Sequence, residues 1–164
     1  MILNKIPGFD LLVVTGPTAS GKTALAAALA FSLGGEVVSA DSRQVYRRMN
    51  LGTGKDYSDY IVNGIKIPCH LIDIVEPGYK YNVFEYQRDF FKVYRQLKSE
   101  SRIPVVCGGS GMYLDSIISG YRMFEVPPDP VFRTALEKKS LEELTEILST
   151  YRDIHNVTDI DSKK

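Results

Sequence analysis

The chain has 164 residues, with 20 Lys+Arg against 20 Asp+Glu, 44% hydrophobic residues and 24% charged residues. Those values argue against a disordered chain, a collagen-like repeat and a disulfide scaffold, and they suit a chain that buries a real core. A formal net charge of zero excludes a uniformly basic nucleic-acid binder but is compatible with a local basic patch.

In chain order, Leu11–Val14 is a continuous apolar run that suits a buried parallel strand, and it ends at Thr15-Gly16. Lys22 to Leu33 is rich in Ala and Leu and reads as a helix stopped by Gly34-Gly35. Glu36–Ser39 reads as the next strand, which makes a βαβ unit with parallel strands. A short helix is expected near Val45-Tyr46, loop over Met49–Gly64, and short strands over Ile65–Ile67 and His70–Ile74. Asn82, with Glu85 three residues on, opens a long helix. Its buried face carries Val83, Tyr86, Phe90, Val93, Tyr94 and Leu97. Ile103–Cys107 is a further strand, Gly108–Gly111 a glycine turn, and Met112–Ser119 a helix. Composition shifts at Gly120, and Pro127, Pro128 and Pro130 mark a boundary. Ser140-Leu141-Glu142-Glu143 is a capping box that opens a short helix to about Tyr151. The expected organisation is an α/β core over 1–120 and a helical appendage over 121–164.

No membrane span is expected, because no apolar stretch is long enough, and Met1–Asp10 lacks the pattern of a secretory leader. Cys69 and Cys107 show no C-x-x-C spacing and read as reduced thiols of a cytoplasmic protein. His70 and His155 are too few and too far apart for a zinc site.

The strongest chemical signal is Gly16-Pro17-Thr18-Ala19-Ser20-Gly21-Lys22-Thr23, which fits G-x-x-x-x-G-K-[ST] between a strand and a helix. Glycines let successive N–H groups turn toward an anion, and the helix that follows adds its positive end. Lys22 reaches terminal phosphates and the Thr23 hydroxyl can ligate Mg²⁺. The expected fold is therefore a P-loop NTPase-like parallel sheet flanked by helices. The loop announces a polyphosphate, whether a nucleotide such as ATP or another diphosphate, without choosing between them.

Two further residues fall at strand ends, where open α/β sheets bind ligands. Ser110 can donate to a ligand oxygen or cap the helix that follows. Asp41 can act as a general base, hold Mg²⁺ through water, or cap the short helix near Val45. Arg43, Arg47, Arg48 and Lys55 form a basic cluster that either grips phosphates or is simply a solvated face. Gln44 and Tyr46 beside it can read a base. Many phosphate-loop NTPases end an apolar strand in a Mg²⁺-holding Asp. Ile103–Cys107 ends in Gly-Gly instead, and His70–Asp73 offers only a short substitute.

Gly16–Thr23 (GPTASGKT), Ser39–Tyr46 (SADSRQVY), Leu51–Lys55 (LGTGK), His70–Asp73 (HLID) and Val105–Tyr113 (VVCGGSGMY) occur in this order. Together they closely resemble the N-terminal half of the tRNA dimethylallyltransferases, also called tRNA isopentenyltransferases, from about Leu11 to Arg133. The resemblance implies transfer of a dimethylallyl group from dimethylallyl diphosphate to N6 of adenine 37, next to the tRNA anticodon. It implies that the loop Gly16–Thr23 holds the diphosphate, with Mg²⁺ at Thr23, that Asp41 is the general base, and that Ser110 bonds an oxygen of the departing diphosphate. It also implies that Asp41, Ser42, Arg43, Gln44, Ser110 and Arg133 contact tRNA, by a cytoplasmic protein taken to be a monomer. Ser110 stands where the family usually has Thr, and Gly54 where it usually has Ala. Family members run well beyond Lys164, so 121–164 is expected to be the start of their helical insertion. The chain by itself is expected to transfer weakly or not at all while still binding diphosphate. The competing expectations are an adenylate isopentenyltransferase, a small-molecule kinase with ATP in the loop, and a non-catalytic anion-binding remnant.

Overall fold

Four short strands form the sheet: β1 (Leu12–Val14), β2 (Glu36–Ser39), β5 (Cys69–His70) and β6 (Pro104–Cys107). The two central ones, β2 and β6, are buried at every residue, as a parallel sheet covered by helices requires. A computed structural model describes residues 9–151. The expectations for Met1–Gly8, for His155 and for the end of the appendage, 152–164, lie outside the described residues. The four strands form one parallel sheet in the order β1-β6-β2-β5. A separate antiparallel pair is made by β3 (Ile61–Val62) and β4 (Ile65–Lys66).

Side chains alternate across the sheet with period two, and the core divides accordingly. Val14, Val37, Val105 and Cys107 pack with Ala26, Ala27 and Ala30 of helix α1 (Lys22–Leu33). Val38, Ala40 and Val106 pack on the other face with Tyr86, Phe90 and Leu97 of α2 (Val83–Ser99) and Tyr113, Leu114 and Ile117 of α3 (Gly111–Ile118). Small alanines on α1 let that helix lie close to the sheet, whereas α2 and α3 fill their side with aromatic rings. Tyr86 stacks on Tyr113 with ring centroids 4.1 Å apart and planes 10° apart. The expected capping box of α2 is present, with the Glu85 amide donating to Asn82 Oδ1 (3.0 Å) and the Asn82 amide donating to Glu85 Oε2 (3.2 Å).

The chain divides into two compact units, Met1–Phe124 and Glu125–Lys164. The second contains α4 (Pro130–Glu137) and α5 (Leu141–Ser149), neither with a buried residue. The capping box at Ser140 opens α5 as expected. Helix α4 was not expected. Its signal is Asp129, which accepts from the Phe132 amide at 2.8 Å, followed by Pro130 at the first helical position. Pro130 thus starts a helix, and the division between the two units falls before the three prolines, at Phe124/Glu125.

The middle of the first unit departs most from expectation. No helix forms near Val45-Tyr46; residues 42–45 turn, and Tyr46 bridges in parallel to Val75. The reason is competition for hydrogen bonds. The Gln44 carbonyl accepts from the Asp73 amide at 3.0 Å, and the Val45 carbonyl accepts from the Ile74 and Val75 amides at 2.8 and 3.0 Å. Those carbonyls are thereby lost to a local helix. The strand expected over His70–Ile74 stops at His70, because Leu71 and Asp73 adopt left-handed backbone (φ 58° and 55°). The expected loop over Met49–Gly64 holds one 3-10 turn, Tyr57–Tyr60, capped by Asp56, and the strand β3.

Candidate active site

The register of the sheet builds the site. Cys107, the last residue of β6, aligns with Val14 on one side and Ser39 on the other. Three strands therefore end at one level, and the turns that follow them lie together. The Gly108 amide donates to the Val14 carbonyl (3.2 Å), the Ala40 amide to the Cys107 carbonyl (2.8 Å), and the Ser110 amide to the Ala40 carbonyl (3.1 Å). A Cβ on Gly108 would sit 2.2 Å from the Ala40 carbonyl oxygen, so only glycine permits this approach.

The first turn is the glycine-rich loop. Gly21 occupies the cap position of α1 in the left-handed region (φ 76°), with no side chain closing the helix end. The first amides of α1 therefore keep no side-chain acceptor, which is the arrangement that favours an anion. Ser20 Oγ donates to the Pro17 carbonyl at 2.9 Å, and Lys22 Nζ donates to the same carbonyl, folding its ammonium back over the loop.

The other two turns carry Ser110 and Asp41. Ser110 precedes α3, but its hydroxyl does not cap that helix. Ser110 Oγ instead accepts from the Ser42 amide at 2.9 Å, so the hydroxyl proton remains to be donated elsewhere. Asp41 has no helix to cap. Its Oδ1 accepts from the Arg43 amide at 2.8 Å, and its Oδ2 has no partner among the described residues. Cys107 ends β6 between the two strands that lead into the glycine-rich loop and the Asp41 turn. Burial pushes its thiol up, the Lys22 charge and a hydrogen bond with Thr23 act the other way, and the Asp41 charge adds to the rise. The Lys22 and Asp41 charges thus both bear on one thiol, and the Ser42–Ser110 bond ties the Asp41 turn to the start of α3.

The remaining residues of the basic stretch have separate partners. Arg47 and Arg48 both pair with Glu76. The Lys55 side chain is fully buried and pairs with Asp73 Oδ1 at 2.5 Å, and it also donates to the Tyr46 carbonyl. The Tyr57 hydroxyl donates to Asp73 Oδ2. Burial alone would raise the Asp73 carboxyl, but the bonds from Lys55 and Tyr57 and the Lys55 charge outweigh it and hold it below the usual carboxylate range. Burial, then the bonded Asp73 carboxylate, push Tyr57 up to about 12. Both Asp73 oxygens are therefore engaged by protein groups. Arg43 is exposed, with no partner for its side chain among the described residues. Gln44 is buried; its Nε2 donates to the Thr53 and Gly54 carbonyls (3.3 and 3.1 Å), and its Oε1 accepts from Ser39 Oγ at 3.0 Å. His70, the last residue of β5, binds Glu36, the first residue of β2, at 2.5 Å, and Arg102 holds the same carboxylate, which makes His70 a packing residue. Arg133 lies exposed on α4 in the second unit.

Sequence reasoning missed Cys107, the Ser42 amide and the Lys55–Asp73–Tyr57 group. For Cys107 the signal was available, since the last residue of a strand before a glycine turn lies at the ligand-binding end. No sequence signal announces a backbone amide as a partner, or pairs residues eighteen apart across two loops. Among the described residues no cluster of three or more His, Cys, Asp or Glu could hold a metal, and no helix is long and apolar enough to cross a membrane.

The family model for IPP transferase matches residues 44–162, and that for isopentenyl transferase matches residues 9–67. A tRNA dimethylallyltransferase 2 of Phocaeicola vulgatus is 62% identical over 156 residues, which are 95% of this chain and 51% of that protein. One of Bacteroides fragilis is 58% identical over 159 residues, covering 97% and 52%. The crystal structure of the full-length tRNA isopentenylpyrophosphate transferase from Bacillus halodurans superposes with a TM-score of 0.65 at 33% identity, covering 86% of this chain and 47% of that one. A eukaryotic dimethylallyltransferase acting on tRNA shares the fold, with a TM-score of 0.63 at 22% identity. The chain spans about half the length of the curated relatives it matches.

Proposed function

The chain belongs to the IPP transferase family, and on that premise we propose that it carries the diphosphate-binding and base-bearing part of a tRNA dimethylallyltransferase. The reaction is transfer of dimethylallyl from dimethylallyl diphosphate to N6 of adenine 37 in the tRNA anticodon stem-loop. The observation that carries this reading is that β1, β2 and β6 end level, so that the glycine-rich loop, the Asp41 turn and the Ser110 turn follow at one edge, with Ser110 joined to the Asp41 turn through the Ser42 amide.

The loop Gly16–Thr23 holds the diphosphate through backbone amides, and Lys22 exchanges its bond to the Pro17 carbonyl for phosphate oxygens. The adenine N6 attacks the allylic carbon as the carbon–oxygen bond to diphosphate breaks. Asp41 Oδ2 accepts the proton that N6 loses. Ser110 donates its hydroxyl proton as a hydrogen bond to the departing oxygen, and Lys22 balances the charge gathering there. The donor set suits Mg²⁺ in a modest way, with Thr23 offering an oxygen and the diphosphate and water completing a shell. When bound, Mg²⁺ would neutralise charge on the diphosphate. The adenine must leave the anticodon stack to be reached, as for other enzymes that modify a base. Ser42 and the exposed Arg43 border its path, Gln44 supports the turn from within, and Arg133 supplies a contact to RNA from the second unit. We place the reaction in the cytoplasm, where reduced thiols such as Cys69 and Cys107 are at home, and take the working form to be a monomer.

A kinase is a poorer fit. The carboxylate that the sequence offers for its metal, Asp73, is committed to Lys55 and Tyr57. The test is dimethylallyl transfer to an anticodon stem-loop RNA, by this chain and by a natively extended form, each with and without Asp41→Ala. Transfer by the extended form, lowered about 10²–10⁴-fold by Asp41→Ala, is the expected result. Prenylation of free AMP or ADP in place of RNA would turn the reading toward an adenylate isopentenyltransferase. Phosphoryl transfer from ATP would turn it toward a kinase.

A further inference from the structure

We propose that the buried Lys55–Asp73 pair, completed by Tyr57, is a positioning device that holds the Asp41 turn in its working place; this rests on the function proposed above. The segments that supply it, LGTGK and HLID, have no part in the chemistry assigned so far.

The connection can be followed bond by bond. The Asp41 carbonyl accepts from the Gln44 amide at 3.2 Å, and the Gln44 carbonyl accepts from the Asp73 amide at 3.0 Å. Asp73 then takes Lys55 Nζ on Oδ1 and the Tyr57 hydroxyl on Oδ2, while its carbonyl accepts from Arg47 Nε at 2.9 Å. All the polar groups of Asp73 are thus spent on the segment 44–57. Lys55 closes the ring by donating to the Tyr46 carbonyl. The Asp73 backbone is left-handed (φ 55°), a conformation that Asp accepts more readily than most residues.

An ammonium with no exposed side-chain surface is a costly thing to retain. An apolar pair of similar size would fill the same space without that cost. What the ionic pair adds is direction: it accepts one geometry of the 41–47 turn, whereas apolar side chains accept several. The chain of bonds ends at the residue whose carboxylate must meet a reacting nitrogen, and such a group loses rate steeply when misplaced.

The experiment uses the natively extended protein carrying Lys55→Met, Asp73→Asn, or the double change Lys55→Met/Asp73→Asn, which keeps a residue that accepts the left-handed backbone at 73. Two readouts are taken: kcat and KM for dimethylallyl transfer, and hydrogen exchange of the Ser42 and Arg43 amides, which bond Ser110 Oγ and Asp41 Oδ1. The single changes should lower kcat by about 10²-fold while KM for dimethylallyl diphosphate stays unchanged. Exchange at Ser42 and Arg43 should quicken while the Val37 and Val38 amides of β2 keep their protection. The double variant should regain thermal stability without regaining kcat or the slow exchange. A double variant that recovers both stability and full kcat, or variants whose Ser42 and Arg43 amides exchange as in the parent, would overturn the proposal. If the parent itself transfers nothing to RNA, the proposed function falls, and the exchange at Ser42 and Arg43 still decides the role of the pair.

Discussion

Ser110 shows how one hydrogen bond sets what a hydroxyl can do. Its oxygen accepts from the Ser42 amide at 2.9 Å, which leaves the hydroxyl proton free to be donated. Removing that donor with Ser110→Ala should cost about 3–4 kcal/mol of transition-state stabilisation, the range for a preorganised donor to a developing oxyanion. Ser110→Thr keeps the hydroxyl and should stay near the parent rate. The check is kcat for dimethylallyl transfer in the extended protein, and equal losses for Ala and Thr would show that the hydroxyl donates to nothing that matters. The sequence left Ser110 open between a helix cap and a ligand donor, because both need a hydroxyl at the same place. In the structure the hydroxyl does not cap α3; its oxygen is taken by the amide of Ser42, a residue 68 positions away in the chain.

The elements that position these residues rest on one close contact between strands. β6 and β2 run in parallel to Cys107 and Ser39, and the chain after each turns across the other. Gly108 lies against Ala40 with no room for a side chain, since a Cβ would meet the Ala40 carbonyl oxygen, carbonyl carbon and Cα at 2.2, 2.3 and 2.8 Å. The atoms it meets are backbone, so they cannot swing aside. Gly108→Ala should therefore destabilise the protein by about 3 kcal/mol, the upper end for overpacking. Urea denaturation should show a lower midpoint at an unchanged slope. Elements with local signals were legible in the sequence. α1 is built from strong helix formers, and the Asn82/Glu85 and Ser140/Glu143 boxes announce α2 and α5. Segment 41–76 was not legible, because its carbonyls pair across loops and its turns use left-handed residues such as Leu71 and Asp73.

At the scale of the whole molecule, stability should depend on pH through Asp73. Burial raises its carboxyl, but the bonds from Lys55 and Tyr57 and the Lys55 charge more than offset this, so its folded pKa lies below the unfolded value. The folded state then binds fewer protons than the unfolded one as pH falls. The contribution is complete above pH about 4, near the unfolded pKa, and is lost as pH falls through the lower folded value. Lys55→Met should cost about 3 kcal/mol at pH 7, the low end for a broken buried pair because the Asp73 side chain keeps 31% exposure. It should also flatten the acid decline. Unfolding free energies of parent and variant at pH 7 and pH 3 provide the check, and parallel declines would remove Asp73 from the acid response. Exposed pairs such as Arg48–Glu76 should leave little trace.

By itself the sequence determined the class of fold, the glycine-rich loop, the ends of the principal helices and the family. Each of these is written in local composition, in periodicity or in motifs of a few adjacent residues. Only the tertiary structure decided that β1, β6 and β2 end level at Cys107, that Ser110 is bound by the Ser42 amide, and that Lys55 belongs to Asp73 and not to a free basic face. The physical reason is that these pairings have no local cause. Strand order and register bring distant backbone groups to one edge, and a buried charge chooses its partner from whatever the fold sets beside it.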